Sequence, residues 1–419
     1  MSLKSKLIKQ AADVKQASQV LAGLSSKQKE NVLNQIARAL KSESKTIIRA
    51  NQLDLKTARK MKLNDAMIDR LTLDVKRVNH MAEAVHQVAK LKDPVGQVLK
   101  IWKRPNGLQI SKITVPLGVI LIIYESRPNV TSECASLCFK SGNAVLLRGG
   151  REAFHSNQAI VNVYQRVLVR NWIPKAAVSL VATLDRQAID ELLKLDEFIN
   201  LVIPRGGEAL IRRVAENARM PVIKHYKGIC HVYVDRDADL KMASNIAYNA
   251  KLQRTGVCNA METLLVHKAI AKKFLPDFGI RLKYGRCEIR GDQATRTILK
   301  GGVKPATEKD WNTEYLDRIL SIRVVKDLDQ AIEHIQKYGS AHTDSIITKN
   351  KSAAEKFVSK VDSSSVMVNA STRFSDGNEY GFGAEIGIST DKVHARGPMG
   401  LEGLISYKYI VRGRGQIRT

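Results

Sequence analysis

The run Val119-Ile-Leu-Ile-Ile-Tyr124 is apolar throughout and too short for a typical helix. Such a run is typical of a strand that is buried on both faces of a sheet. Further short apolar runs alternate with longer segments up to residue 218: Ala144–Leu147, Ala177–Val181 and Phe198–Ile203. This alternation predicts a doubly wound, mainly parallel α/β sheet, in which ligands bind at the carboxyl ends of the strands.

Three of the predicted strand ends carry arginine or glycine where a phosphate group would bind: Tyr124–Asn129, Arg148–Arg151 and Pro204–Gly207. The pair Gly206-Gly207 directly precedes a predicted helix, whose free amide groups and dipole suit a pyrophosphate. Double glycines are also ordinary turn residues, and that alternative stays open. Neither the G-x-G-x-x-G fingerprint nor the P-loop is present, so no standard nucleotide motif supports the interpretation.

A second alternation of strands and helices runs from Val232 to about Val368 and contains Gln253-Arg-Thr-Gly-Val-Cys258. Cys258 lies in a polar loop shortly before the apolar run Leu264-Leu-Val266. The nearby Arg254 favours a thiolate over the free thiol, whose ordinary pKa is about 8.5. We therefore predict Cys258 as a nucleophile, with the alternative that it is a small core residue.

The chain before and after these regions has a different pattern. Residues 2–92 show helical spacing of apolar side chains, and turn residues place a boundary near residue 95. The turn Arg104-Pro-Asn-Gly107 lies between alternating segments and predicts a protruding β-hairpin. The glycine-rich segment Asn369–Gly403 is long for an unstructured connection and is expected to be functional. The tail, Leu404–Thr419, alternates like a strand that can extend the sheet of a neighbour.

Composition limits the class of protein. The chain has 419 residues, of which 44% are hydrophobic, with no signal-peptide or membrane-length apolar run, so we expect a cytoplasmic globular protein of two or three domains. Five cysteines are expected to be reduced thiols. A net charge of +27 leaves nucleic-acid binding as an alternative. Because the basic residues are dispersed and aromatics make up only 5%, the positive charge more simply attracts small anions.

Several motifs in order resemble the glutamate-5-semialdehyde dehydrogenases, or gamma-glutamyl phosphate reductases, of the aldehyde dehydrogenase superfamily. The resemblance spans nearly the whole chain. The motifs that carry it are Tyr124–Thr131, Ser141–Gly150, Ile203–Gly207, Cys230–Asp235, Asn249–Arg254, Cys258-Asn259, Val361–Ser364, Val368–Phe374 and His394–Leu401.

The resemblance implies an aldehyde dehydrogenase-like fold with two doubly wound α/β domains and a small β oligomerisation element. The implied parts are an NADP-binding domain (1–95 and 113–229), a catalytic domain (230–400), and an oligomerisation hairpin and tail (96–112 and 401–419). The implied reaction is reduction of L-glutamyl 5-phosphate by NADPH, the second step of proline synthesis. The alternative is NADP-dependent oxidation of another short acidic aldehyde or reduction of another acyl phosphate.

The resemblance also assigns roles to single residues. Cys258 is the implied nucleophile, and the oxyanion donor is Asn129, with Ser126 as the alternative from matching prolines. The implied cofactor residues are Arg148, Gly149, Arg205, Gly206, Gly207 and Glu314, with Arg151 as a further neighbour of an adenosine 2′-phosphate. Arginines in the most specific motifs are the implied substrate ligands, although each can equally be a structural ion pair: Arg127, Arg373 and Arg396.

The resemblance predicts partners as well, namely a small-molecule substrate, a second copy of the chain in a dimer or tetramer, and a transient contact with glutamate 5-kinase. No metal is expected: we interpret Cys134 and Cys138 as core residues, since no second pair of ligands accompanies them to form a zinc site. Hydrolytic members of the superfamily have a glutamate about thirty residues before the cysteine. The corresponding stretch, 221–228, has no carboxylate, so we expect phosphate rather than water to resolve the thioester, unless His225 serves as a base.

Overall fold

The computed structural model describes residues 2–125 and 127–418, apart from the side chain of Ala66. It divides into two compact units. The first comprises Met1–Lys224, Phe382–Gly387 and Met399–Thr419, and the second comprises His225–Gly381 and Ile388–Pro398. The boundary between these units lies at 224/225, and the hairpin and tail belong to the first unit, while the domain bounds 229/230, 96–112 and 401–419 stay predictions. The functions assigned to these parts stay predictions.

The first unit begins with five helices: α1 (Leu3–Ala22), α2 (Ser26–Ser42), α3 (Ser44–Lys60), α4 (Asp65–Leu71) and α5 (Val75–Lys90). The apolar face of α2 is buried, as the spacing predicts, and includes Val32, Ile36 and Leu40. Ser25 and Gln28 form a reciprocal capping box at its start, which satisfies backbone donors that the helix itself leaves unpaired. No helix in the described part of the chain is long and apolar enough to cross a membrane.

The predicted hairpin and tail strand are confirmed. Strands β1 (Val98–Lys103) and β2 (Gln109–Pro116) are antiparallel. Gly107 in their turn has a φ of 89°, a conformation that glycine adopts without strain. The last strand of the chain, β16 (Ile405–Arg412), pairs with β2 of the same chain. The tail therefore extends this hairpin to three strands, with β1 and the tail strand as the two edges; pairing of the tail with a neighbour stays a prediction.

The α/β part of the first unit follows the predicted alternation: β3 (Val119–Tyr124), α6 (Pro128–Lys140), β4 (Ala144–Arg148), α7 (Phe154–Arg170), β5 (Val178–Leu180), α8 (Gln187–Leu192), β6 (Leu201–Arg205) and α9 (Glu208–Asn217). The four strands are parallel in the order β5-β4-β3-β6. All residues of β3 and β4 are buried, because helices cover both faces of such a sheet. Tyr124 pairs with Arg205, and Ile123 pairs with Arg148, so the predicted strand ends meet at one edge.

The second unit is a larger α/β layer: β7 (Cys230–Val234), α10 (Leu240–Leu252), β8 (Met261–His267), α11 (Lys268–Tyr284), β9 (Glu288–Gly291), α12 (Gln293–Leu299), β10 (Val303–Pro305), α13 (Glu308–Trp311), β11 (Ile319–Val325), α14 (Leu328–Tyr338), β12 (Thr343–Ile347), α15 (Lys351–Lys360), β13 (Ser365–Val368), β14 (Ile388–Ser389) and β15 (Gly397–Pro398). Seven strands form one sheet in the order β10-β9-β11-β8-β7-β12-β13, and all neighbouring pairs are parallel. The central strands β8-β7-β12 therefore begin at the same edge. β16 (Ile405–Arg412) then closes the chain.

Candidate active site

Cys258 lies in a turn between the end of α10 and the beginning of β8. Among the five cysteines, all of which fall in the described part of the chain, it is the one that is not buried. The seven residues of β8 that follow are all buried. The prediction of a loop running into a buried strand is confirmed, with Gln253 and Arg254 exposed and Cys258 half-buried.

The backbone of Cys258 rests directly against Gly228. A Cβ atom at Gly228 would lie 2.1 Å from the Cys258 carbonyl oxygen and 2.5 Å from its Cα. The buried Cys230 thiol also donates to that carbonyl oxygen at 3.2 Å. Burial raises the pKa of Cys230 well above the ordinary value, with the Asp344 carboxylate acting in the same direction. Cys230 therefore stays a protonated thiol that holds the loop.

Two histidines lie beside the nucleophile. Ring nitrogens of His225 and His342 and the sulfur atom of Cys258 all lie within 4.8 Å of one another. The Nδ1 atom of His225 is 2.9 Å from the carbonyl oxygen of Ile388. A carbonyl oxygen can only accept, so Nδ1 carries the proton in this contact, which fixes the orientation of the ring.

Arg373 is the predicted substrate arginine that the structure links to the nucleophile. Its guanidinium donates to the side-chain oxygen of Asn259, the residue after Cys258, and to Gln253 at 2.8 Å. Burial lowers the pKa of Arg373, and the nearby Arg254 acts in the same direction. Two cationic side chains therefore lie near the cysteine loop, which favours an anionic substrate and a thiolate.

The other two predicted substrate arginines differ from Arg373. Arg396 donates to the Asp362 carboxylate at 2.7 Å and to the Asp362 carbonyl at 2.8 Å. A structural ion pair was the open alternative for this residue, and the structure shows such a pair. Arg127 lies exposed in the first unit, directly before α6. The roles of both residues in substrate binding stay predictions.

In the first unit, Arg148 occupies the carboxyl end of β4. Its side chain is buried and donates to the carbonyl oxygens of Gly149 at 2.8 Å and Asp185 at 3.5 Å. Its Nε atom has no hydrogen-bond partner among the described residues. Burial lowers the pKa of Arg148, partly opposed by the Glu152 carboxylate. A guanidinium can pair with an anionic group such as the phosphate of a dinucleotide cofactor, although the Nε atom of Arg148 is closed off from solvent.

The glycines at these strand ends lie in different surroundings. A Cβ atom at Gly149 would lie 2.1 Å from Nδ2 of Asn157, so close packing alone requires this glycine. Gly206 faces the Glu125 side chain, and Gly207 begins α9 with open space around it. The Gly207 amide donates to the Glu125 carboxylate at 3.1 Å. A pyrophosphate at this helix start would therefore have to displace a carboxylate that already fills the anion position.

Arg205 and the remaining candidates lie on separate segments of the chain. Arg205 ends β6 and packs on Gly387. Asn129 lies in the first turn of α6, and its amide donates to Glu133 at 2.8 Å, which leaves a second N–H for an oxyanion. Its alternative, Ser126, lies outside the described residues. Glu314 lies in the second unit between α13 and β11, where the next residue but one, Leu316, donates its amide to Glu262 at 3.1 Å.

Sequence reasoning missed Gly228, Cys230 and His342 as neighbours of the nucleophile. His342 directly precedes β12, and Cys258 precedes β8 by a few residues. Both therefore lie at the amino edge of the same parallel sheet, with β7 between their strands. The strand order would have revealed the proximity, but strand order is not readable from apolar periodicity alone.

Comparisons with known proteins agree with this architecture. The model of the aldehyde dehydrogenase family matches residues 3–297. The chain is 54% identical to the gamma-glutamyl phosphate reductase of Nautilia profundicola over 97% of this chain and 98% of that protein. It is 53% identical to that of Geotalea daltonii over 100% of both chains. The crystal structure of the Thermotoga maritima gamma-glutamyl phosphate reductase has a TM-score of 0.97 at 48% identity, covering 99% of this chain and 100% of that chain. The chain therefore belongs to the aldehyde dehydrogenase family, and within it to the gamma-glutamyl phosphate reductases.

Proposed function

We propose that the chain reduces L-glutamyl 5-phosphate to L-glutamate 5-semialdehyde and phosphate, using NADPH and a covalent thioester on Cys258. The observation that carries the proposal is the accessible Cys258 in a chain about half identical, over its whole length, to gamma-glutamyl phosphate reductases. This activity is the second step of proline biosynthesis. A cytoplasmic location accords with a metabolic substrate.

The chemistry begins at the thiol of Cys258. Arg254 and Arg373 lie near the cysteine loop and favour its thiolate form, and the thiol proton passes to solvent. The thiolate attacks the acyl carbon of the substrate, the C–O bond to phosphate breaks, and a thioester forms. A bound NADPH supplies the hydride that reduces this thioester. The resulting thiohemiacetal collapses to the aldehyde and returns Cys258 to the thiolate.

Substrate charge is matched by the residues around the loop. The substrate carries a carboxylate and a phosphate, and Arg373 and Arg254 lie near Cys258. Guanidinium groups bind both anions through paired hydrogen bonds. We assign Arg373 to the substrate, since its contact with Asn259 ties it to the cysteine loop. Asn129 and the backbone amide of Cys258 are the proposed oxyanion donors, while Arg127 and Arg396 stay secondary candidates.

The first unit is the proposed NADP-binding part. Arg148, at the carboxyl end of β4, is the proposed partner of the adenosine 2′-phosphate, with Arg205 or Arg151 as neighbours. Gly149, Gly206 and Gly207 are the proposed glycines of the dinucleotide site, and a pyrophosphate there replaces the Glu125 carboxylate on the Gly207 amide. Glu314 is the proposed ligand of the nicotinamide ribose, and the contact of its loop with Glu262 supports its position.

One assay separates this function from the alternatives. We expect NADP reduction with glutamate semialdehyde and phosphate to be at least about tenfold more efficient in kcat/KM than with other short acidic aldehydes. The variant Cys258→Ser should fold and bind NADPH but lose turnover, because an alcohol is a far weaker nucleophile than a thiolate. Activity of this variant within tenfold of the wild type would reject the covalent mechanism. Tight DNA binding without turnover would instead support the nucleic-acid alternative.

A further inference from the structure

Three potential metal ligands converge at the amino edge of the sheet in the second unit. Cys258 precedes β8, His225 precedes β7, and His342 precedes β12. These strands are adjacent and parallel, so their beginnings lie side by side. One ligand atom from each residue lies within 4.8 Å of the other two. The cluster is therefore a product of the sheet topology, not of sequence spacing.

His342 is the buried member of this cluster. Its side chain is 0% exposed, and its Nε2 atom has no hydrogen-bond partner among the described residues. Its Nδ1 atom lies 2.9 Å from the Thr343 hydroxyl and 3.7 Å from the sulfur atom of Cys230, and the hydroxyl can accept a hydrogen bond from an N–H at that position. Burial, with His225 acting in the same direction, lowers the pKa of His342 to about 3. The ring is therefore neutral at physiological pH, as a metal ligand must be.

His225 is oriented in the same way as metal-bound histidines commonly are. Such histidines donate their second ring N–H to a carboxylate or a backbone carbonyl, which fixes the tautomer and the ring orientation. The Ile388 carbonyl, 2.9 Å from Nδ1, has this role for His225. Cys258 completes the group with a sulfur atom that is half-buried and reachable from solvent.

We propose that His225, Cys258 and His342 form a three-ligand site for a thiophilic divalent cation of the zinc class, and that such a cation inhibits the enzyme. Two imidazole nitrogens and one thiolate suit zinc and disfavour magnesium or calcium, which prefer oxygen ligands. The fourth position is left to water or an anion. On binding, the cation replaces the thiol proton of Cys258, which passes to solvent, and the metal–sulfur bond occupies the electron pair that the nucleophile needs.

The geometry requires only a local contraction. Bond lengths of about 2.1 Å to nitrogen and about 2.3 Å to sulfur place tetrahedral ligand atoms about 3.5 Å apart. The present upper separation of 4.8 Å exceeds that value by about 1.3 Å, so the proposed site requires the three ligand atoms to move closer on binding. Cation binding depends only on these three side chains, whereas inhibition rests on the proposed role of Cys258 as the nucleophile. Binding can therefore fail while the proposed function stands.

The test uses the purified full-length chain with Co²⁺ and Zn²⁺ as probes. We expect one Co²⁺ per chain with a thiolate-to-cobalt charge-transfer band, and displacement of Co²⁺ by Zn²⁺. The variants Cys258→Ser and His342→Ala should each weaken Zn²⁺ binding by at least about tenfold. Cys287→Ser is the matched control, because Cys287 is a buried cysteine of the same unit outside the cluster, and it should bind Zn²⁺ as the wild type does.

A second measurement needs no variant and so does not depend on whether His342→Ala folds. Zn²⁺ should slow alkylation of wild-type Cys258 by iodoacetamide, followed at the Cys258 peptide by mass spectrometry, at least about tenfold. The inference is overturned if Zn²⁺ leaves this alkylation rate unchanged. It is equally overturned if the Co²⁺ complex lacks the charge-transfer band, or if Cys258→Ser binds Zn²⁺ as tightly as the wild type.

Discussion

At the scale of single residues, Gly228 sets the position of the nucleophile. A Cβ atom there would lie 2.1 Å and 2.6 Å from the Cys258 carbonyl oxygen and carbon. Those atoms are backbone and cannot rotate away, so Gly228→Ala must displace the cysteine loop. A displacement of about 1 Å can lower turnover about 100-fold, and we expect a loss of that size in kcat. Gly301→Ala is the control, since a Cβ atom at Gly301 meets nothing within 4 Å. Equal kcat values for the two variants would show that the Cys258 loop tolerates the displacement.

Arg148 is the residue on which cofactor choice is expected to depend. If its buried guanidinium meets the adenosine 2′-phosphate, the enzyme prefers NADPH over NADH, and Arg148→Ala lowers that preference by at least about tenfold. The measurement is the ratio of kcat/KM values for the two cofactors in each protein. Arg170→Ala, a substitution in the last turn of α7, serves as control. An unchanged ratio in Arg148→Ala would move the role to another arginine.

At the scale of elements, the three-stranded sheet β1-β2-β16 exposes an apolar face. Trp102 and Val411 both pair with Ile110 and so share a face, on which the Trp102 and Tyr409 rings are 6.1 Å apart. Tyr409 and Val411 are 56% and 55% exposed. Apolar side chains clustered on an exposed sheet are typical of an interface, and this supports the prediction of a homo-oligomer.

The sheet can be tested by one charged substitution. Tyr409→Asp places a carboxylate on the apolar face without disturbing a core, so we expect a folded monomer where the wild type is a dimer or tetramer. Lys408→Asp is the matched control, because adjacent residues of a strand point to opposite faces. Light scattering reads the molecular mass of all three proteins. A monomeric wild type would remove the oligomerisation role from this sheet.

Elements were easier to predict from the sequence than the contacts between them. The strand ends at Tyr124, Arg148 and Arg205, the hairpin turn and the cysteine loop were all predicted, because apolar runs and turn residues are local signals. The cluster of Cys258 with His342 was not predicted, since it depends on the strand order β8-β7-β12. The Glu125 carboxylate on the Gly207 amide was missed for the same reason.

At the scale of the whole molecule, a buried histidine makes stability depend on pH. Burial, aided by His231 and Arg323, lowers the pKa of His334 from 6.5 to about 2. Between those pH values the unfolded chain binds a proton that the folded chain does not, so stability falls as pH drops below 6.5. One such group changes the free energy of unfolding by about 1.4 kcal/mol per pH unit.

Urea unfolding at pH 7 and pH 5.5 measures this dependence. His334→Gln removes the titrating ring, and we expect it to reduce the stability lost between the two pH values by about 1 kcal/mol. His80→Gln, at an exposed position of α5, is the control and should leave the loss as in the wild type. If His334→Gln and the wild type lose equal stability over this interval, His334 is not the group responsible.

The central claim is that Cys258 forms a thioester that phosphate, and not water, resolves. Residues 221–228 contain no carboxylate, and His225 is the one base that the structure places beside the sulfur within that stretch. Phosphate brings its own nucleophilic oxygen and a negative charge that Arg373 and Arg254 can bind.

The direct measurement is the number of NADPH molecules formed per active site when the enzyme is mixed with glutamate semialdehyde and NADP without phosphate or arsenate. We predict at most one NADPH per site, with steady turnover restored by adding phosphate, whereas multiple phosphate-free turnovers that produce glutamate would contradict the claim.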